Sequence, residues 1–307
     1  MISIVPIFQP SPGADFFVGE IKNLDLNKSL SDADFGQIVN AWSLYPVLVL
    51  RDQDIDAESH QAFAGRFGEL ATRVRPLGDR GKNVQNNSHL MLVSNIRDED
   101  GVPIGSDGEG ALPFHSDGCF NETPSMASFL YGIEVPESGG NTLFVSMYQV
   151  YNELSGETRN KIMGESGVNY YFYEYSKYNK NGGELGGTRE PRSKAVRNSI
   201  HPMIIAHPVT RKPVVFANRH FTREIVGMDL AKAKPLLREI FRTVERPDMI
   251  YAHHWQKGDL VIWDNRAVQH ARTSFSPKER RLLRRFAVLC KERPQAFNPT
   301  AMEMPIT

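Results

Sequence analysis

The chain has 307 residues, which favours one elaborated domain over two, and its 36 basic and 36 acidic side chains cancel. This balance removes the general electrostatic argument for binding nucleic acid or a membrane surface. No apolar run approaches membrane-spanning length, and the first residues lack a signal-peptide pattern. Its two cysteines, Cys119 and Cys290, are too few for a disulfide framework and favour a reducing cytoplasm.

The predicted elements are short strands with a few helices between them. Five segments are predicted helices: 30–44, 56–66, 148–154, 155–163 and 230–244. Five apolar runs are predicted strands: 47–50, 90–93, 125–133, 260–263 and 282–289. Ser31 or Asp32 is placed to begin the first helix, and Asp229 to cap the last. The balance suits a mainly β double-stranded β-helix (jelly roll) with external helices, although pattern alone leaves the topology open.

Two distant segments carry groups that can bind a divalent metal. One is His115-Ser116-Asp117, and the other ends at His270. On a strand, alternate side chains point to the same side, so His115 and Asp117 could reach one ion together. Two imidazoles and one carboxylate are the set expected for a non-haem Fe(II) oxygenase, and they also suit a catalytic Zn(II) site. An isolated HxD triplet occurs by chance in many chains.

Arg285 follows His270 inside an apolar, strand-like run. A buried guanidinium is costly without an anionic partner. A dicarboxylate co-substrate could be that partner, held bidentately, and so could an internal Asp or Glu. The residues alone leave both readings open. By alternation Arg284 is predicted to face the opposite side, exposed or ion-paired.

Five segments in order resemble the taurine dioxygenase (TauD/TfdA) family of Fe(II)- and 2-oxoglutarate-dependent oxygenases. They are 48–53 (LVLRDQ), 63–70 (FAGRFGEL), 115–117 (HSD), 135–144 (VPESGGNTLF) and 257–266 (KGDLVIWDNR). The resemblance runs from about residue 20 to 290, so it implies one dioxygenase domain over 1–307. No single piece is specific, but the combined pattern is.

This resemblance implies that His115, Asp117 and His270 hold Fe(II), and that Arg285 and the Thr142 hydroxyl bind the distal carboxylate of 2-oxoglutarate. It implies consumption of O2, release of succinate and CO2, and hydroxylation of a small-molecule C–H. Desaturation, cyclisation or epimerisation are alternatives, and halogenation is not expected because the metal carboxylate is present. A Zn hydrolase and a non-catalytic jelly-roll binding protein rank lower. Family members often form dimers or tetramers, so a homo-oligomer is one expectation.

Several positions bear on the substrate. Where taurine enzymes have Asn and His, this chain has Ala111 and Arg73, so taurine is not expected. Arg73 is predicted to bind a substrate anion or to be solvated. Phe221 is predicted to line the pocket, and the neighbouring His220 is a weaker candidate. The interpretation is a small, anionic or amino-acid-like metabolite.

Two further segments carry predictions. Residues 169–200 hold five tyrosines and two Gly-Gly pairs, which indicates a long loop. Long loops are often lids, and the family covers its active site between the two metal motifs, so a lid is predicted, with a solvent loop as the alternative. Asp264 or Asn265 is predicted to fix the turn before His270 and to orient a metal ligand. The adjacent pair 253–254 (HH) would point to opposite faces and is assigned no metal.

Overall fold

The computed structural model describes residues 2–72, 87–106, 108–171 and 198–302. Arg73 and residues 172–197 of the predicted lid lie outside these ranges. The α-helices within them are α1 Asp32–Leu44, α2 Ala57–Gly65, α3 Met147–Glu153, α4 Gly156–Ile162 and α5 Leu230–Val244. None of these helices is both long and apolar enough to cross a membrane.

The strands of the described ranges form four sheets. They are β1 Ser3–Phe8, β2 Val18–Lys22, β3 Val47–Leu50, β4 Met91–Ser94, β5 Leu112–His115, β6 Ser125–Glu134, β7 Thr142–Ser146, β8 Ser166–Tyr170, β9 Asn198–Pro202, β10 Ile204–Ala206, β11 Pro213–Val215, β12 Thr222–Ile225, β13 Tyr251–His253, β14 Leu260–Asp264, β15 Val268–Arg272 and β16 Leu282–Leu289. The sheet orders are β1-β2-β3-β14-β6-β16-β4, β13-β7-β15-β5, β12-β8-β9 and β10-β11.

The seven-stranded and four-stranded sheets pack face to face. Trp263 and Leu283 of the larger sheet share a hydrophobic cluster with Phe144 and Val268 of the smaller one. Burial of such large apolar side chains is the main favourable term in folding. All pairs in these two sheets are antiparallel except β2 with β3, and two facing sheets of this kind are the arrangement of a jelly roll, the predicted fold class.

Helices cover the outer faces of these sheets. Ile38 and Trp42 of α1 pack in one cluster with Phe286 of β16. In a second cluster, Ile240 of α5 packs with Val150 of α3 among residues of the smaller sheets. The helices thus pack outside the two large sheets, and inward-pointing residues of β14, β15 and β16 fill the space between them.

Successive side chains of strand β16 point to opposite faces of the large sheet, and this separates its two arginines. Leu283 packs between the sheets, whereas Phe286 faces the helices, so Arg285 and Arg284 lie on opposite faces as predicted. The expectation that Arg284 is exposed or ion-paired is wrong, because α2 covers that face and Arg284 is 7% exposed. Its guanidinium donates to the Ile55 carbonyl at 2.7 Å and to His60 Nδ1 at 3.2 Å.

The predicted start of the first helix is confirmed: the Ser31 hydroxyl accepts a hydrogen bond from the Asp34 amide at the start of α1. At the start of α2, where no cap was predicted, Asp56 accepts from the Ser59 amide. Helix α5 and strand β16 have the predicted bounds, 230–244 and 282–289. Asp229 occupies the N-cap position of α5, but its side chain makes no capping hydrogen bond, which corrects that detail.

Candidate metal centre and active site

The two metal-binding segments meet between the sheets. Strand β15 pairs with β5 so that His270 lies opposite His115, and the two ring centroids are 4.2 Å apart. Asp117 Oδ1 lies 3.8 Å from His115 Nε2, and Asp117 Oδ2 lies 3.9 Å from His270 Nε2. Within the described ranges, one ligand atom from each of these residues lies within 4.8 Å of the others. The pairing register therefore brings the three predicted ligands together.

Asp117 reaches the site from a turn, whereas the sequence predicted that it lies on the same strand as His115. Strand β5 ends at His115, so Asp117 lies in the following turn and not on a strand. Gly118 adopts a φ of 69°, a left-handed conformation that glycine takes without strain. The expectation that strand alternation aligns His115 with Asp117 is therefore wrong, although their side chains do meet.

Both imidazoles have a lone pair to offer. His115 Nδ1 lies 2.9 Å from the Pro113 carbonyl oxygen, which only accepts, so that nitrogen carries the hydrogen and Nε2 has the lone pair. Burial, followed by the charge of His115, lowers the pKa of His270 to about 3. His270 is therefore neutral at neutral pH, as a metal ligand must be.

Asp117 is ionised in the same setting. Burial alone would raise the pKa of its carboxyl group, but Arg285, then the two imidazoles and the Ser128 hydroxyl lower it, and the net shift is well below the usual value. One carboxylate and two imidazoles on one side of a site are the donor set of non-haem Fe(II) oxygenases, so these residues fit Fe(II).

Comparison with known proteins identifies the family. The family model described as "Taurine catabolism dioxygenase TauD, TfdA family" matches residues 8–286. The chain belongs to this family. Pentalenolactone F synthase of Streptomyces avermitilis is 29% identical over 290 residues, covering 91% of this chain and 93% of that protein. The 2,4-dichlorophenoxyacetate dioxygenase of Burkholderia sp. (strain RASC) is 29% identical over 280 residues, covering 89% of this chain and 91% of that protein.

A solved structure supports the fold as well. The crystal structure of AAD-2 in complex with Mn(II) and N-oxalylglycine aligns with a TM-score of 0.74 at 28% identity, covering 95% of this chain and 99% of that chain. The protein is thus an α-ketoglutarate-dependent dioxygenase, an oxidoreductase that uses Fe(II), 2-oxoglutarate and O2. The zinc hydrolase and the non-catalytic binding protein are set aside by this assignment.

Thr142 begins strand β7 of the dioxygenase and is 3% exposed. Its Oγ1 accepts a hydrogen bond from Trp255 Nε1 at 3.0 Å. Because an indole N–H only donates, the Thr142 hydroxyl hydrogen is left for an acceptor. A carboxylate oxygen is such an acceptor, which suits the role the sequence predicts for Thr142.

Arg285 contacts the metal site itself. Its Nη2 donates to Asp117 Oδ2 at 2.8 Å and to Ser128 Oγ at 3.0 Å. The internal carboxylate partner that the sequence allowed for Arg285 is thus Asp117, and the Arg285 side chain is 16% exposed.

Arg281 was not assigned a role from the sequence, and it directly precedes strand β16. It is 2% exposed, and its Cδ and Nε atoms lie 3.2 Å from the point that a Cβ added to Gly140, two residues before Thr142, would occupy. A second buried arginine therefore packs against the turn that leads into Thr142.

An aromatic wall adjoins His115. The rings of His220 and Phe221 lie 5.4 and 5.9 Å from the His115 ring, and Phe120 contacts Phe221 at 5.1 Å. Tyr171 lies 4.3 Å from Phe120. Burial, followed by the charge of His115, lowers the pKa of His220 to about 2, so its imidazole is neutral. Phe221 and His220 thus both adjoin His115, with the His220 ring the nearer of the two.

Proposed function

We propose that this dioxygenase hydroxylates a C–H bond of a small organic acid with an apolar body, releasing succinate and CO2. His115, Asp117 and His270 would hold Fe(II), and the bound metal supplies the oxidising chemistry with 2-oxoglutarate and O2. The observation that carries the proposal is the convergence of these three ligands within 4.8 Å beside an arginine and an aromatic wall.

The surroundings of the metal site support this substrate class. Phe221 and Phe120 offer apolar contact next to His115, and His220 is neutral, so this side of the site suits an uncharged body. Two relatives are named for chlorophenoxyacetate and pentalenolactone, which also have apolar bodies. Taurine has none, and the departure at Ala111 argues against it as well. Arg73 is retained as a proposed contact for the substrate anion.

The distal carboxylate of 2-oxoglutarate needs a hydroxyl and a guanidinium. Thr142 supplies the first, and the family resemblance assigns the second to Arg285. A specific observation favours Arg281 as a second candidate, because it lies against Gly140 near Thr142, whereas Arg285 already pairs with Asp117. If Arg281 holds the co-substrate, the more exposed Arg285 would be left to contact a substrate anion.

Anaerobic titration of the Fe(II)-loaded protein with 2-oxoglutarate tests the cofactor roles of these residues. A weak visible charge-transfer band should grow with 2-oxoglutarate, and His115→Ala, Asp117→Ala and His270→Ala should abolish it with the loss of iron. Full iron binding and full activity in any of the three variants would reject the ligand assignment.

A panel of acids then tests the substrate class. Succinate release should increase with carboxylic acids that carry an aryl or terpenoid body, and not with their methyl esters or with taurine. Mass spectrometry of the product distinguishes the gain of one oxygen from desaturation, cyclisation or epimerisation. Equal turnover of acid and ester, or preferred turnover of taurine, would contradict the proposal.

A further inference from the structure

Asp117 is held in place by residues from three separate segments: β6, β16 and the turn after β14. Its Oδ2 accepts hydrogen bonds from Ser128 Oγ at 2.6 Å and from Arg285 Nη2 at 2.8 Å. Its backbone N–H donates to Asn265 Oδ1 at 3.2 Å. Ser128 lies on β6 and is 0% exposed, and Asn265 directly follows β14 and is 2% exposed. Both the backbone and the carboxylate of Asp117 therefore have buried partners.

The hydrogen positions in this network follow from which groups can only donate. Trp263 Nε1 donates to Asn265 Oδ1 at 2.9 Å, so the Asn265 Nδ2 group faces Ser128, at 3.1 Å. Ser128 Oγ also receives Arg285 Nη2 at 3.0 Å. Since neither Nδ2 nor Nη2 can accept, the single hydroxyl hydrogen of Ser128 is left for Asp117 Oδ2.

We propose that Ser128 and Asn265 are positioning residues that hold Asp117 as a one-oxygen metal ligand. Ser128 and Arg285 occupy Asp117 Oδ2, so Oδ1, 3.8 Å from His115 Nε2, is left for the ion. A carboxylate that binds through one oxygen leaves a coordination position that a bidentate one would take. The inference rests on the proposed binding of Fe(II) by Asp117.

Three variants separate the elements of this network. Ser128→Ala removes the hydroxyl that donates to Oδ2. Asn265→Asp is nearly isosteric and keeps the oxygen for Trp263, but it replaces the donor facing Ser128 by an acceptor, which competes with Asp117 for the Ser128 hydrogen. Ser128→Thr keeps the hydroxyl and is the conservative rescue. Ser146→Ala is the matched control, because this serine is 2% exposed and its hydroxyl accepts from the Gln149 amide at the start of α3.

The measurements are Mn(II) affinity of the metal-free protein, followed by electron paramagnetic resonance, and the visible band of the Fe(II) protein with 2-oxoglutarate. Loss of a group that orients a metal ligand typically costs 10- to 100-fold in metal affinity. We therefore expect the Mn(II) dissociation constant to rise roughly 10- to 100-fold in Ser128→Ala and Asn265→Asp, with a shifted band. Ser128→Thr should recover most of the affinity, and Ser146→Ala should match the unaltered protein.

The result that overturns the inference is Mn(II) affinity and a visible band unchanged in Ser128→Ala and Asn265→Asp, with only a lower melting temperature. Both side chains would then support the fold alone. A failure of the unaltered protein to bind Mn(II) is a different result, because it would overturn the proposed metal site and this inference with it.

Discussion

Replacing Arg281 and Arg285 by methionine, one at a time, will identify the guanidinium that holds the distal carboxylate of 2-oxoglutarate. Methionine keeps an unbranched side chain and removes the charge. Loss of one partner from a buried, hydrogen-bonded charge pair costs about 2–5 kcal/mol. At about 1.4 kcal/mol per tenfold, this weakens 2-oxoglutarate binding roughly 30- to 4,000-fold if Arg281, 2% exposed, is that partner.

A smaller effect is expected if Arg285 holds the carboxylate. Its side chain is 16% exposed and keeps contact with solvent, so the loss is nearer that of one charged hydrogen bond, about 1.5–3 kcal/mol. This corresponds to roughly 10- to 100-fold weaker binding. The substitution also removes a hydrogen bond from Asp117 Oδ2, so iron affinity should fall in Arg285→Met and not in Arg281→Met.

The assay is the 2-oxoglutarate midpoint of the visible band at saturating Fe(II), with the substrate KM measured separately by succinate release. Arg284→Met is the matched control, because Arg284 is a buried arginine on the opposite face of the same strand. It should lower the free energy of unfolding and leave the midpoint unchanged. Loss of even the weakest charged hydrogen bond should move the midpoint by more than roughly twofold. A midpoint that moves less than this in both Arg281→Met and Arg285→Met would refute the assignment of either arginine to the distal carboxylate.

Three other predictions address single residues. Trp255→Phe removes the donor to Thr142 Oγ1, so 2-oxoglutarate should bind several-fold more weakly, a loss of about 1 kcal/mol. If the effects of Trp255→Phe and Thr142→Val on this binding simply add, Trp255 does not act through Thr142. Burial, then Arg284, lowers the pKa of His60 well below 6.5, so unfolding gains a proton and stability falls as the pH drops through about 6.5. Urea unfolding at pH 7 and at pH 5.5 measures this loss in the free energy of unfolding. The loss should be about 1 kcal/mol smaller in His60→Gln than in the unaltered protein, and an identical loss in the two proteins would contradict the prediction. Phe221→Ala should raise the substrate KM and leave the 2-oxoglutarate midpoint unchanged, and the reverse pattern would remove Phe221 from the substrate pocket.

Strong local signals explain which elements the sequence predicts. Helix α5 has an amphipathic pattern over its full length, and β16 is a long apolar run, so both have the predicted bounds. Strands β10, β11 and β13 have three residues each, which is too short for alternation to be recognised. Strand β13 also pairs with β7, a partner distant in sequence that local propensity does not encode.

In the candidate site too, some features can be read from the local sequence and others depend on the fold. The residue types and spacing around His115, Asp117 and His270 are visible in the sequence. The contacts of Asn265 are not, because they require the ends of β5 and β14 to meet. Of the two residues predicted to orient a ligand, Asn265 contacts Asp117, whereas Asp264 is bonded by Arg266 and by His207 Nε2 at 3.0 Å. Sequence spacing does not distinguish these neighbours, since the direction of each side chain depends on the turn.

Strand register determines the metal site more than any single contact does. Ser128 on β6 lies opposite Trp263 on β14 and opposite Ala287 on β16. Arg285 is two residues from Ala287, so its side chain reaches Ser128 diagonally on the same face. A slip of β6 by one residue would turn Ser128 toward the helices and place a neighbour of the opposite face beside Asp117. The apolar residues that alternate with Ser128, such as Phe129 in the helix-side cluster, oppose that slip because it would move them away from α1 and α2. Packing on the helix side of the large sheet therefore keeps the metal ligand and its partners aligned on the other side.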